Sequence, residues 1–151
     1  MWPAHRDARM VLILFLGFAL YAIAGCSKGT KGDMRDMTRE FNDMADLMST
    51  IHDRASLDAA KPTLKKLLAS RYERQEKFRK MSEDEQDRRK KEWETLIEEP
   101  DGKKYREATH RYAQEFARIV ATPELGKHYM KEVVDEVAAK FGSRQGEDEI
   151  Q

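Results

Sequence analysis

The sequence predicts an all-α protein, an up-and-down antiparallel bundle of four to five helices. Charged residues make up 37% of the chain, whereas it contains only eight Gly and four Pro, and its Glu, Lys, Arg, Leu, Met and Ala favour helices. Apolar residues recur at spacings of three and four, which is the helical period. No alternating strand pattern and no Asn-Gly hairpin signal occurs. Short turns between amphipathic helices favour antiparallel neighbours.

The first residues have the layout of a secretory signal and precede the bundle. Arg6 and Arg9 lie before an uncharged apolar run over residues 10–24, and Gly25 and Cys26 follow. A basic segment, a short apolar segment and small residues in this order are typical of a signal peptide. The run is at the lower limit for a membrane-spanning helix, so an uncleaved signal anchor stays open as an alternative.

The end of the apolar run, Ile23-Ala24-Gly25-Cys26, resembles the lipobox of bacterial lipoproteins. The resemblance implies that the thiol of Cys26 is diacylated and that the peptide is cut before this residue. The mature protein would then be held in a membrane outside the cytoplasm. In a cell with two membranes, Ser27 implies the periplasmic face of the outer membrane. Cys26 is the only cysteine, which excludes an intrachain disulfide and a Cys-based zinc or redox site.

These features divide the chain into four parts. We expect a signal peptide over residues 1–25, a lipidated Cys26 with a flexible tether over 26–33, the bundle over 34–141 and a disordered tail over 142–151. The tether is predicted because residues 27–33 contain two Gly and no apolar side chain. Without residues 1–25 the chain has 26 basic and 27 acidic residues. It therefore has no basic surplus for a nucleic-acid partner.

The first predicted helix, over residues 34–53, has the most regular apolar stripe. Its members alternate at spacings of three and four, which indicates a core seam: Met34, Met37, Phe41, Met44, Met48 and Ile51. Methionine side chains adapt to irregular partners, so a ligand site in this seam is an alternative interpretation. A second helix is predicted after a break over 55–62, with Ser56 as its N-cap and Pro62 near its start.

A third helix is predicted from Ser82, which has a Glu three residues later and so matches a capping box. Residues 82–92 contain no apolar side chain, and acids precede bases at i,i+4 spacing. We therefore expect a helix that is solvated on every side and presents a surface to a partner: Asp84, Glu85, Asp87, Arg88, Arg89, Lys90 and Lys91. The sequence leaves open whether this helix continues the second one into a rod of about 55 Å.

Two further helices complete the predicted bundle. Glu99-Pro100-Asp101-Gly102 predicts a stop and a turn. An apolar stripe from Tyr105 to Val120 follows, and Thr122-Pro123-Glu124 predicts the start of a last helix that ends at Gly142.

The sequence contains no catalytic, phosphate-binding or cofactor motif, so we expect a protein that is not an enzyme and has no cofactor. The function predicted is a membrane-anchored lipoprotein with a helical domain that binds an envelope protein. One alternative is a bundle that binds a ligand or cofactor. It would bind a metal through the methionine seam, or it would be similar in architecture to the cytochrome b562-like proteins, with His128 and Met44 or Met48 holding a haem. Another is a periplasmic chaperone of the Spy and CpxP type, since Met81–Gln86 is loosely similar to their Leu-Thr-x-x-Gln element.

Overall fold

The computed structural model describes residues 29–141, which are almost entirely helical and contain no strand. The all-α prediction is confirmed. The predicted signal peptide, Cys26 and the predicted tail over 142–151 lie outside the described residues. The helices are α1 (Gly29–Ser49), α2 (Arg54–Arg79), α3 (Glu83–Leu96), α4 (Pro100–Val120) and α5 (Pro123–Tyr129), and α5 continues through a π-helical turn (Met130–Asp135) into α-helical residues 136–141.

Helices α1 and α4 lie side by side and run in the same direction. Near their starts, Lys31 bonds to Glu99 at 3.0 Å. Near their ends, the Arg118 guanidinium donates to the carbonyls of Met48 and Ile51 at 2.6 and 2.8 Å. Met48 lies at the C-terminal end of α1, where carbonyls have no partner within the helix, and Ile51 lies in the turn that follows.

Helix α2 and the last helix form the other parallel pair. Arg54 in the first turn of α2 bonds to Glu132, and the Tyr72 ring, farther along α2, stacks on Phe141 at 5.1 Å. The short turns over 50–53 and 121–122 reverse the chain. Successive long helices therefore alternate in direction, as an up-and-down bundle requires.

Helix α3 connects the two halves of the bundle at one end. It packs on the first turns of α1 through Thr30 and Asp33 and on α4 through an edge-to-face contact between Trp93 and Tyr105. Because α3 takes the chain across this end, α4 lies beside α1 and parallel to it. Helices α1 and α4 are therefore parallel neighbours, although consecutive long helices of the chain run in opposite directions.

The core contains the predicted stripe of the first helix. Met34, Met44 and Met48 are completely buried, and Met37, Phe41 and Ile51 are at most 5% exposed. The Phe41 ring contacts Tyr105 and Tyr112 of α4. The methionine seam is therefore core, as its spacing predicted, and it packs against the aromatic face of α4.

The structure corrects the predicted tether where residues 29–33 are concerned. Helix α1 begins at Gly29, and both Thr30 and Asp33 are at least 97% buried. The segment contains no apolar residue, but Thr30 donates to Glu92 and Asp33 accepts from Arg89. Buried polar groups persist when they are bonded in this way, so partners on α3 order a segment whose composition indicated flexibility.

The start of α2 also differs from the prediction. Asp53 is the N-cap and accepts from the Ser56 backbone amide at 2.8 Å, while the Ser56 hydroxyl accepts from the Asp53 backbone amide. This reciprocal cap begins the helix at Arg54. Pro62 consequently lies inside α2 rather than near its start, and Ser56 is not the cap residue but the third residue of the helix.

Two turns separate α3 from its neighbours. Helix α2 ends at Arg79 and Ser82 caps α3, so the two helices do not form a continuous rod. After α3, the turn is confined to residues 97–99, and Pro100 is already the first residue of α4. The prediction that Glu99–Gly102 forms a turn is wrong for Asp101 and Gly102, which are helical. Gly102 packs against the Ile97 backbone so closely that a Cβ added at this position would clash with the Ile97 carbonyl.

Candidate functional site

The predicted partner surface on α3 is not solvated on every side. Arg89 is only 7% exposed, because it lies on the same helical stripe as Trp93 and Leu96, four and seven residues later. Its six predicted companions are exposed or half-buried: Asp84, Glu85, Asp87, Arg88, Lys90 and Lys91. Arg89 therefore belongs to the α1–α3 interface and not to the outer surface.

The Arg89 guanidinium bonds to two carboxylates. It donates to Asp33 and to Glu85, each at 2.8 Å, and the Asp33 side chain is 3% exposed. Burial lowers the pKa of Arg89, but the hydrogen bonds to Glu85 and Asp33 outweigh burial and raise it above its ordinary value. The buried charge of Arg89 is therefore paired with carboxylates, as a charge removed from water must be.

A second bond fixes the same interface one turn nearer the beginning of α1. The Thr30 hydroxyl donates to Glu92, and Glu92 also accepts from Arg88. We call Thr30, Asp33, Glu85, Arg89 and Glu92 the α1–α3 polar contact. Its members on α1 were assigned to a tether from sequence. Thr30 and Asp33 are three residues apart and lie on the same helical stripe as Met37. This spacing is the sequence signal that indicates their burial.

The outer face of α3 neutralises much of its own charge. Arg88 bonds to Glu85 at 2.7 Å, and Lys90 lies 3.5 Å from Asp87. Hydrogen bonds from Arg88 and then Arg89 lower the pKa of Glu85 from 4.5 to about 2. Acids and bases on this face therefore pair within the helix, which leaves it without a strong field of either sign.

A groove of about 340 Å³ lies between α1 and α4. Its first lining residue, Arg35, follows Asp33 of the α1–α3 polar contact by two positions in the sequence. All its lining side chains are polar: Arg35, Thr38, Arg39, Asn42, Asp101 and Lys104. Asp101 accepts from Arg35 at 2.9 Å and lies 3.9 Å from Lys31. We call this feature the α1–α4 groove. Sequence reasoning missed it, because its residues come from two helices far apart in the chain.

The opposite pair of helices is joined by an ionic cluster around Glu132. This carboxylate accepts from the two terminal nitrogens of Arg54, Nη1 and Nη2, at 2.7 and 2.8 Å. It also accepts from Lys61 and from His128 Nδ1, the latter at 2.8 Å. Bonds from Arg54, Lys61 and His128 lower the pKa of Glu132 far below its ordinary value. His128, the candidate haem ligand, is thus hydrogen-bonded to Glu132 through Nδ1.

Polar groups also occur inside the aromatic core. The Arg71 guanidinium lies 4.6 Å from the centre of the Phe41 ring and 5.5 Å from that of Tyr112, within the range of cation–π attraction. Burial raises the pKa of Tyr105 and raises that of Tyr129 well above its ordinary value.

Within residues 29–141, no three His, Cys, Asp or Glu side chains are grouped so that they could hold a metal ion. No helix in this part of the chain is long and apolar enough to cross a membrane. Comparisons of the chain with protein-family models, with curated proteins and with solved structures found no match.

Proposed function

We propose that this protein is an extracytoplasmic lipoprotein, held in a membrane by acyl chains on Cys26, whose helical bundle binds another envelope protein without catalysing a reaction. The observation that carries the proposal is the order of basic residues, apolar run, Ile23-Ala24-Gly25 and Cys26. Two or more acyl chains give stable anchoring, whereas one chain gives only marginal binding.

The start of α1 supports a close association between the bundle and the membrane. Only Ser27 and Lys28 lie between Cys26 and Gly29, and three residue steps span at most about 11 Å. Acyl chains on Cys26 would therefore hold the start of α1, together with α3, at the membrane surface. The turns over 50–53 and 121–122 would face away from it.

This orientation restricts the partner. The exposed charges of α3 lie at the end of the bundle nearest Cys26, so a protein that contacts them would lie close to the same membrane. The candidate contact residues are the exposed members of the predicted surface, without Arg89: Asp84, Asp87, Arg88, Lys90 and Lys91. Glu85 contributes through its bonds to Arg88 and Arg89.

The anchor is tested by mass spectrometry of the mature protein and by fractionation. We expect a chain that begins at Cys26 and carries acyl groups. Cys26→Ser should abolish acylation and cleavage before residue 26, whereas Ser27→Ala is the matched control and should leave both unchanged. A Cys26→Ser chain that is still cut before residue 26 and still fractionates with membranes like the parent would refute the proposal.

Partner binding is tested by crosslinking and pull-down from membranes. One variant exchanges the signs of the exposed α3 charges and keeps Arg89 (Asp84→Lys, Asp87→Lys, Lys90→Glu, Lys91→Glu), so that the α1–α3 polar contact is preserved. We expect it to lose at least one partner that the wild type captures. The same set of captured proteins for both chains, at equal amounts, would contradict a role for this surface.

A further inference from the structure

We infer that the α1–α4 groove binds an acidic segment of the partner polypeptide. This inference adds the chemistry of the contact to the proposed function and rests on it for the identity of the partner. The groove has a volume of about 340 Å³ and is lined by polar and charged side chains, so it offers hydrogen-bonding groups to a polar ligand.

The charges of the groove select the sign of its ligand. Three of the lining residues are cationic and one, Asp101, is anionic. Asp101 is already bonded to Arg35 at 2.9 Å. Arg39 lies 4.0 Å from Asp36, at the limit of an ion pair, and its side chain is 74% exposed. Lys104 makes no ion pair within residues 29–141. Arg39 and Lys104 therefore remain for carboxylates of a ligand.

On the opposite side of the bundle, two lysines of α2 are neutralised by carboxylates. Lys61 bonds to Glu132 and Asp58, and Lys65 bonds to Glu136. These lysines are neutralised by carboxylates of the neighbouring turn or helix. Other lysines on that side, Lys66 and Lys131, are exposed. Because complementary charge steers association, these lysines serve to separate binding in the groove from attraction to any surface cation.

The shape of the groove fits a polypeptide better than an enclosed small molecule. It lies between two parallel helices, and its volume is near the lower limit of small-molecule pockets, about 300–1,000 Å³. Asn42 and Thr38 lie on the same wall as Arg39. The Thr38 hydroxyl donates to the Met34 carbonyl at 2.7 Å and keeps lone pairs for a backbone amide. An extended segment with two acidic side chains therefore finds both cations and backbone partners here.

The experiment titrates a fluorescein-labelled hexaglutamate peptide with the purified full-length protein in a neutral detergent and follows fluorescence anisotropy. We expect saturable binding that Arg39→Glu with Lys104→Glu weakens by about tenfold or more, because both cations become repulsive. The matched control is Lys66→Glu with Lys131→Glu, an equal change of charge at exposed positions of α2 and the π-helical turn. It should weaken binding less than threefold.

Several outcomes would overturn the inference. Equal weakening by the two double variants would mean non-specific attraction, and equal binding of hexalysine would exclude selection by charge. Competition by inorganic phosphate as strong as by the peptide would assign the groove to a small anion. Tighter binding after neutralisation of Glu147, Asp148 and Glu149 would mean that the chain's own acidic segment occupies it.

This titration separates the inference from the proposed function, because it needs neither acyl chains nor the natural partner. Absence of peptide binding in a protein that is acylated and captures a partner would overturn the groove alone. Peptide binding by a protein that is never acylated would overturn the membrane anchor alone.

Discussion

The buried pair of Asp33 and Arg89 gives the sharpest test of the fold. Asp33→Asn removes one carboxylate from a guanidinium whose side chain is 9% exposed. Removal of one partner from a buried pair typically costs about 3–5 kcal/mol, since the other charge is left uncompensated. Here Glu85 still accepts from Arg89 at 2.8 Å but is itself 34% exposed. We therefore expect a loss of about 2–3 kcal/mol in the free energy of unfolding, below the usual range.

The measurement is urea unfolding followed by circular dichroism, together with thermal unfolding. A domain of this size loses about 4 °C in Tm per kcal/mol, so Asp33→Asn should lower Tm by about 8–12 °C. The double variant Asp33→Leu with Arg89→Met replaces both charges by apolar side chains and should be less destabilised than Asp33→Asn. The control is Lys90→Met, whose pair with Asp87 is exposed and should contribute less than about 0.5 kcal/mol. A loss for Asp33→Asn no larger than that for this control would refute a stabilising role of the buried pair.

Three further predictions test other parts of the structure. Gly102→Ala should destabilise the protein by about 1–3 kcal/mol in urea unfolding, because the new Cβ meets the Ile97 backbone; stabilisation, as helix propensity alone predicts, would contradict the described turn. In the same urea unfolding experiment, Met44→Ala should lower the free energy of unfolding by about 2–5 kcal/mol and Met44→Leu by less than about 1.5 kcal/mol. A loss for Met44→Leu as large as that for Met44→Ala would indicate that the sulfur itself is needed. Glu132 has a pKa below its ordinary value of 4.5, so its contribution is present above about pH 4.5 and is lost as the pH falls. Urea unfolding at pH 7, 4.5 and 3 should show the stability gap between wild type and Glu132→Gln narrowing toward low pH, and a constant gap would refute this linkage.

The predicted helices were correct where apolar spacing decides the structure. Met34, Met44 and Met48 are fully buried, as a stripe with spacings of three and four requires. The start of the last helix at Pro123 also agrees with its Thr-Pro-Glu signal. Such features depend on residues within one or two turns of each other, which a single sequence displays directly.

Features that depend on distant residues could not be predicted in this way. The ordering of Thr30 and Asp33 requires Glu92 and Arg89 on α3, and polar composition alone indicated a tether. Arg89 looked like a solvated charge because its carboxylate partner Asp33 is 56 residues away. The α1–α4 groove likewise has no local signature. The peptide order of the chain gives no indication that α4 lies beside α1.

The same pairing of α1 with α4 sets when the bundle can close during synthesis. The bonds that join these helices connect residues 66 to 70 positions apart. At about 5–20 residues per second, that stretch takes about 3–14 s to be made, and non-local contacts slow folding further. Throughout this interval the methionine stripe of α1 has no final partner. The export that we propose requires a chain that stays unfolded until it is translocated, and this topology would delay its folding.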